Sequence, residues 1–152
     1  MGELKRLKKI INDGYDGNPW LDVTVTDTLN DVSAERALKK IGDHNSIWEI
    51  VNHMIEWREV LWKKVNGEKV FVTNTNFIEE ISDSSEKQWK QTLKRVEKSQ
   101  KNILSFLTKL KDLDYDKTYP NGHTSYEHLL AIIQHDAYHL GQIVLLKKLI
   151  SG

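Results

Sequence analysis

Ile132-Ile133-Gln134-His135-Asp136-Ala137-Tyr138-His139-Leu140-Gly141-Gln142-Ile143 lies in the most apolar part of the chain and carries two histidines four residues apart. As a helix, it puts His135 and His139 one turn apart on one face. Two imidazoles so placed can grip one divalent ion, and a catalytic site takes a third protein ligand and keeps a position open. The same helical pattern runs over 124–150. Thr124 and Glu127 form a capping box at its start, and Lys147 and Lys148 suit the negative pole at its end. It is apolar around most of its circumference, so it is expected to be the most buried helix. Gly141 would let another helix approach closely.

Three further long helices are expected upstream. The first covers 3–16, with Leu4, Leu7, Ile10 and Ile11 on one face, and Gly14, Gly17 and Pro19 end it. A long connection, 18–45, holds a strand-like Val23-Thr24-Val25 and a short helix at 33–41 capped by Ser33. The second long helix runs over 46–66 from a Ser46/Glu49 capping box, with Ile47, Ile50, Met54, Trp57, Leu61 and Val65 as its stripe. A second connection follows at 67–82. The third long helix runs over 83–111 from an Asp83/Glu86 box, and Gln100 interrupts its stripe of Trp89, Leu93, Val96, Ile103, Leu107 and Leu110. Residues 112–123 are a loop. Four amphipathic helices without a strong strand predict an all-α four-helix bundle in one domain, 1–152, with a long connection between its first two helices.

The chain has 152 residues, 22 basic and 22 acidic side chains and no cysteine. The balanced charge argues against nucleic acid as the main partner. No stretch of about 18 apolar residues appears, so no membrane span is expected. Without cysteine, any metal is held by nitrogen or oxygen. A cytoplasmic location fits these features.

His53 is the candidate third ligand. Helical rotation sets it beside Ile50, Trp57 and Val60, at the border of the core stripe. Three histidines on two inward-facing helices match the way bundles build metal sites. Burying the pair without a metal leaves an imidazole nitrogen in want of a donor. His44 and His123 precede helix caps and read as exposed loop residues. His128 stands two turns from His135, too far to share its ion. Asp136 makes the motif His-Asp-x-x-His, which fits a zinc protease poorly and reads as a surface or supporting aspartate. Gln142, one turn past His139, can orient a histidine N–H or a water. Glu49, one turn before His53, is a candidate acid or base that its capping role also explains. Gln100 is expected to face the same cavity.

With these residues in view, the chain resembles the DinB/YfiT-like superfamily of small bacterial metal-binding four-helix bundles. The resemblance rests on Asn18-Pro19-Trp20, on Ser46-Ile47-Trp48-Glu49-Ile50-Val51-Asn52-His53-Met54-Ile55-Glu56-Trp57 and on Ile132 to Ile143. It implies one divalent ion, Zn, Ni, Mn or Fe, held by His53, His135 and His139, and a homodimer. Some members of that family are metal-dependent thiol S-transferases using bacillithiol or mycothiol. Others are hydrolase- or isomerase-like, and some are linked to stress responses. The leading expectation is therefore a thiol S-transferase, with a small-molecule thiol and an electrophile as partners. A hydrolase using metal-activated water and a non-catalytic metal-binding bundle are the alternatives. Specificity residues are expected in the connections at 18–45 and 67–82.

Overall fold

A computed structural model describes residues 2–110 and 115–151. It contains α1 (Glu3–Asp16), α2 (Val25–Leu29), α3 (Ala34–Leu38), α4 (Ile47–Val65), α5 (Glu86–Lys109) and α6 (Ser125–Ser151). There is no strand among the described residues, only an isolated bridge between Thr118 and Thr124. The fold is an all-helical bundle of α1, α4, α5 and α6, with α2 and α3 in the connection between the first two. The expected helix end at 111 and the start of the loop at 112–114 lie outside the described residues.

Two capping boxes form as the sequence expects. Ser46 and Glu49 close the start of α4 reciprocally, and Thr124 and Glu127 do so ahead of α6. The third does not form. Ser85 caps α5, and Asp83 accepts from the Ser85 N–H instead. Glu86 is drawn away to accept from the Ala34 N–H at 2.9 Å, a tertiary contact that local spacing cannot reveal. Val23-Thr24-Val25 is not a strand. Thr24 accepts from the Asp27 N–H and caps α2, so this hydroxyl decides against the β-branched pattern. Ser33 caps α3 as expected, but that helix ends at Leu38.

The core has two apolar halves. One gathers α2, α3 and the facing parts of α4, α5 and α6 around Trp48 and Trp89, whose ring centroids lie 5.0 Å apart. Their indole N–H groups donate to Thr92 Oγ1 and the Val32 carbonyl. Truncating either ring to alanine costs about 3–5 kcal/mol. The other half joins Leu7 and Ile11 of α1 to Leu61, Ile103, Leu107, Leu129 and Ile132.

Between the halves lies a polar layer. Arg58 of α4 is buried, and its guanidinium donates to Asp136 Oδ2 at 2.7 and 3.0 Å, to Ser99 Oγ and to Gln100 Oε1. The Gln100 amide in turn donates to the Ile11 carbonyl. This one layer ties all four long helices together.

The expectation that the last helix is the most buried is not met. Seven of the 27 residues of α6 are buried, against 11 of the 19 of α4. The central helix is α4, because α3, α5 and α6 all pack on it, whereas α6 turns Tyr138, Leu145 and Leu149 outward. Gly141 likewise faces open space, with no helix against it. By length and composition α6 is apolar enough to cross a membrane, with mean hydropathy 1.2 over its best 18 residues. Here it forms a wall of the bundle.

Candidate metal centre

The Ser46 cap starts α4 so that His53 falls two turns later on the face turned to α6. There it meets His135 and His139. The Nε2 atoms of His53 and His135 lie 3.0 Å apart, and those of His135 and His139 lie 3.2 Å apart. Three nitrogens about 2.1 Å from a common ion sit roughly 3.0–3.4 Å from one another, and these two separations fall in that range, with all three ligand atoms within 4.8 Å of one another. Among the described residues these three form the one group of histidines and carboxylates that can hold an ion.

The outer nitrogens explain why the inner ones converge. His53 Nδ1 lies 2.7 Å from the main-chain carbonyl of Asn76, which can only accept, so Nδ1 carries the proton. His139 Nδ1 donates to Gln142 Oε1 at 2.7 Å. Both neutral rings therefore aim an Nε2 lone pair inward. Without a cation, His135 can offer one Nε2–H to two acceptors, and its Nδ1 is left buried without a partner. A cation accepts all three lone pairs and removes the conflict.

The connection that supplies Asn76 is held in an uncommon conformation. Asn76 and Phe77 both have positive φ, 55° and 62°. Asparagine tolerates this; phenylalanine rarely adopts it. Phe77 is kept there by its burial, by an edge contact with Trp57 at 5.7 Å and by its N–H donating to Thr73. The Trp57 indole donates to the Asn76 side chain, fixing the residue from both ends.

Electrostatics favour neutral rings. Burial, with His139 nearby, holds His53 below the ordinary imidazole range. Burial first, then His139, His53 and Arg58, pushes His135 down to about 3. The unfolded chain thus takes up protons near pH 6.5 that the folded metal-free protein refuses. Stability of the metal-free protein is expected to be full above pH 6.5 and to fall as pH drops from there toward 3. The slope reaches about 1.4 kcal/mol per pH unit for each histidine kept neutral. Urea titrations at a series of pH values check this; a flat profile between pH 6.5 and 4 would contradict it.

A model of the DinB superfamily matches residues 24–143. The chain belongs to the DinB superfamily. No curated protein and no solved structure matches it. The matched stretch of this DinB-superfamily protein contains all three histidines and the Arg58–Asp136 pair.

Other expected residues fall elsewhere. Glu49 is not part of the histidine group: its carboxylate is held by the Ser46 N–H and by Lys40 Nζ at 2.9 Å. Gln100 faces the polar layer rather than the histidines. His44 and His123 are exposed, and His128 is half-buried, bonded to the Thr124 carbonyl and Asn121. Asp136 is largely covered rather than on the open surface, because its carboxylate turns to Arg58. Its Oδ1 has no partner and lies 4.0 Å from the equally unpartnered Nδ1 of His135. The sequence reading passed over Arg58. Its signal was available: position 58 falls on the apolar stripe between Met54 and Leu61, where an arginine calls for a buried counter-charge.

A cavity of about 560 Å³ opens against His135. Its walls come from α4, from the start of α6 and from the turn before it, through Trp57, Leu61, Lys64, Asn121, His128 and Leu130. The connections at 18–45 and 67–82 do not line it. The second of them serves the site through Asn76 and Phe77.

Because Gln142 sets the His139 ring, Gln142→Leu is expected to weaken Zn binding roughly 10–100-fold with the fold intact. Competition with a chromogenic chelator measures this, and unchanged affinity would mean that the ring needs no such partner.

Proposed function

We propose that this DinB-superfamily protein is a metal-dependent enzyme, a thiol S-transferase that activates a low-molecular-weight thiol at the three-histidine centre. The observation that carries this reading is the convergence of three Nε2 atoms, with no fourth protein ligand among the described residues and with one of the three rings, His135, lining an open cavity. His53, His135 and His139 would hold the ion. When bound, a divalent ion lowers the pKa of a thiol or a water, so that a thiolate is available near neutral pH. Three neutral imidazoles leave the cation its full charge, and they suit Zn, Ni, Mn or Fe alike.

The chain contributes the rest. It has no cysteine, so the attacking sulfur belongs to a cosubstrate. The thiol gives up its proton to solvent water and its sulfur forms a bond to an electrophilic carbon. The bond to the leaving group breaks, and that group departs with the electron pair. Asn76 and Gln142 hold the rings of His53 and His139 through this cycle, and Trp57 with the apolar wall excludes water.

The test is a paired assay of the Zn-, Ni- and Mn-loaded protein. One arm offers a thiol with a chromogenic haloarene, the other a chromogenic ester and amide. Thiol conjugation that vanishes in His139→Ala supports the reading. Ester or amide cleavage alone would replace it with hydrolysis, and a loaded protein inactive in both arms would favour a non-catalytic metal-binding bundle.

A further inference from the structure

The cavity against His135 is unlike at its two ends, and this bears on what the proposed enzyme binds. His135 stands at one end. His128 lies seven residues earlier on α6, roughly 10 Å away along the axis. Between them the wall is apolar, through Trp57, Leu61 and Leu130. The far end is polar. Lys64 reaches it from α4, near enough to act electrostatically on His128, and no carboxylate pairs with Lys64 among the described residues; its Nζ also stands 6.0 Å from the Trp57 ring centroid. The Asn121 amide lies 3.2 Å from His128 Nε2. Glu127 is the one acidic side chain in the lining, and its carboxylate is committed to the Thr124 cap. The far end therefore presents a lysine without an ion-pair partner and an amide donor, while the one carboxylate there, Glu127, is held at the Thr124 cap.

We infer that Lys64 and Asn121 form a subsite for a carboxylate carried about 10 Å from the reacting atom of the substrate. The substrate class is thus an elongated small molecule: a reactive head at the His135 end, an apolar or aromatic middle along Trp57 and Leu61, and an anionic tail. A single lysine beside a neutral amide suits a monoanion. No arginine lines the cavity to make the paired contacts favoured by phosphate. This rests on the three-histidine reading for the head of the substrate and stands on Lys64 and Asn121 for its tail.

The experiment separates the two. The Zn-loaded protein is titrated calorimetrically with 8-mercaptooctanoate, its methyl ester and 3-mercaptopropionate, which is too short to span the cavity. Co-loaded protein reports sulfur ligation through its charge-transfer band. Octanoate is titrated into metal-free protein. Lys64→Ala should weaken 8-mercaptooctanoate and octanoate about tenfold or more, as expected for loss of a charge-assisted hydrogen bond. Lys64→Arg should retain binding, and the ester and the short thiol should be indifferent to both changes. Equal binding of acid and ester, no binding of octanoate, or Lys64→Ala without effect would overturn the subsite even if the Co band shows the sulfur on the ion. Lys64-dependent octanoate binding without any Co band would support the subsite and sink thiol activation.

Discussion

Asp136→Ala is expected to destabilise the protein by about 3–5 kcal/mol, because it strands the buried Arg58 guanidinium without a counter-charge. For a chain of this size that corresponds to a fall in Tm of roughly 6–20 °C. Arg58 is 4% exposed, so water cannot take over from the lost carboxylate. Ser99 and Gln100 still accept from it, but neither carries charge. The paired change Arg58→Met with Asp136→Leu removes both charges and fills the volume, so it is expected to recover most of the loss. Thermal and urea unfolding of the two variants measure this. If the double variant is as unstable as the single one, the layer does more than satisfy Arg58.

The same pair of variants separates stability from metal affinity. Asp136 Oδ1 and His135 Nδ1 are both buried, both unpartnered and 4.0 Å apart. A small rotation closes that gap once His135 keeps its proton on Nδ1. The double variant should therefore fold well yet bind Zn more weakly, by the roughly 10–100-fold that a lost outer partner costs.

The second large effect concerns the ion itself. His53→Ala and His139→Ala are each expected to take the metal content from about one per chain to near zero, by elemental analysis. Stability reports the same event. An ion at about 100 times its Kd stabilises the native state by about 2.7 kcal/mol, and each variant should lose that increment entirely. His53 is 2% exposed and bonded to the Asn76 carbonyl, so its alanine variant also loses packing; the increment due to the ion is therefore read as the difference between the loaded and metal-free forms of each protein. A wild-type protein that takes up no Zn, Ni or Mn would remove the basis for the proposed enzyme.

What the sequence shows of this molecule is what lies close together along it. Ser46 with Glu49 and Thr124 with Glu127 are three residues apart, and both boxes form. His135 and His139 are one helical turn apart. That His53 joins them follows from the helix faces and from the resemblance carried by the two segments. One failure is local, the Thr24 cap that replaces the expected strand at 23–25; the larger ones are long-range. Glu86 leaves its own helix start for Ala34, 52 residues away, and that separation is invisible to local spacing. Asp136 finds Arg58 across 78 residues, so a side chain read as surface or supporting is largely covered by an ion pair that local spacing does not show. The cavity draws on Lys64 and Asn121, which neither periodicity nor the histidine motif marks. The central place of α4 also escaped notice, because apolar content measures what a helix could bury and not what packs on it.

The outer partner of His53 is a main-chain oxygen, and this decides where damage to the site can come from. Glycine at position 76, which keeps the left-handed backbone, would remove the amide that holds Trp57 but would leave the carbonyl that orients the ligand. A side-chain scan would therefore pass over the contact that sets this ring. What can move that oxygen is the path of the chain, held by the left-handed pair at 76 and 77 and by the packing of Phe77 on Trp57. Tolerance to glycine at Asn76, together with sensitivity at Phe77, would be the mark of a ligand held by shape alone.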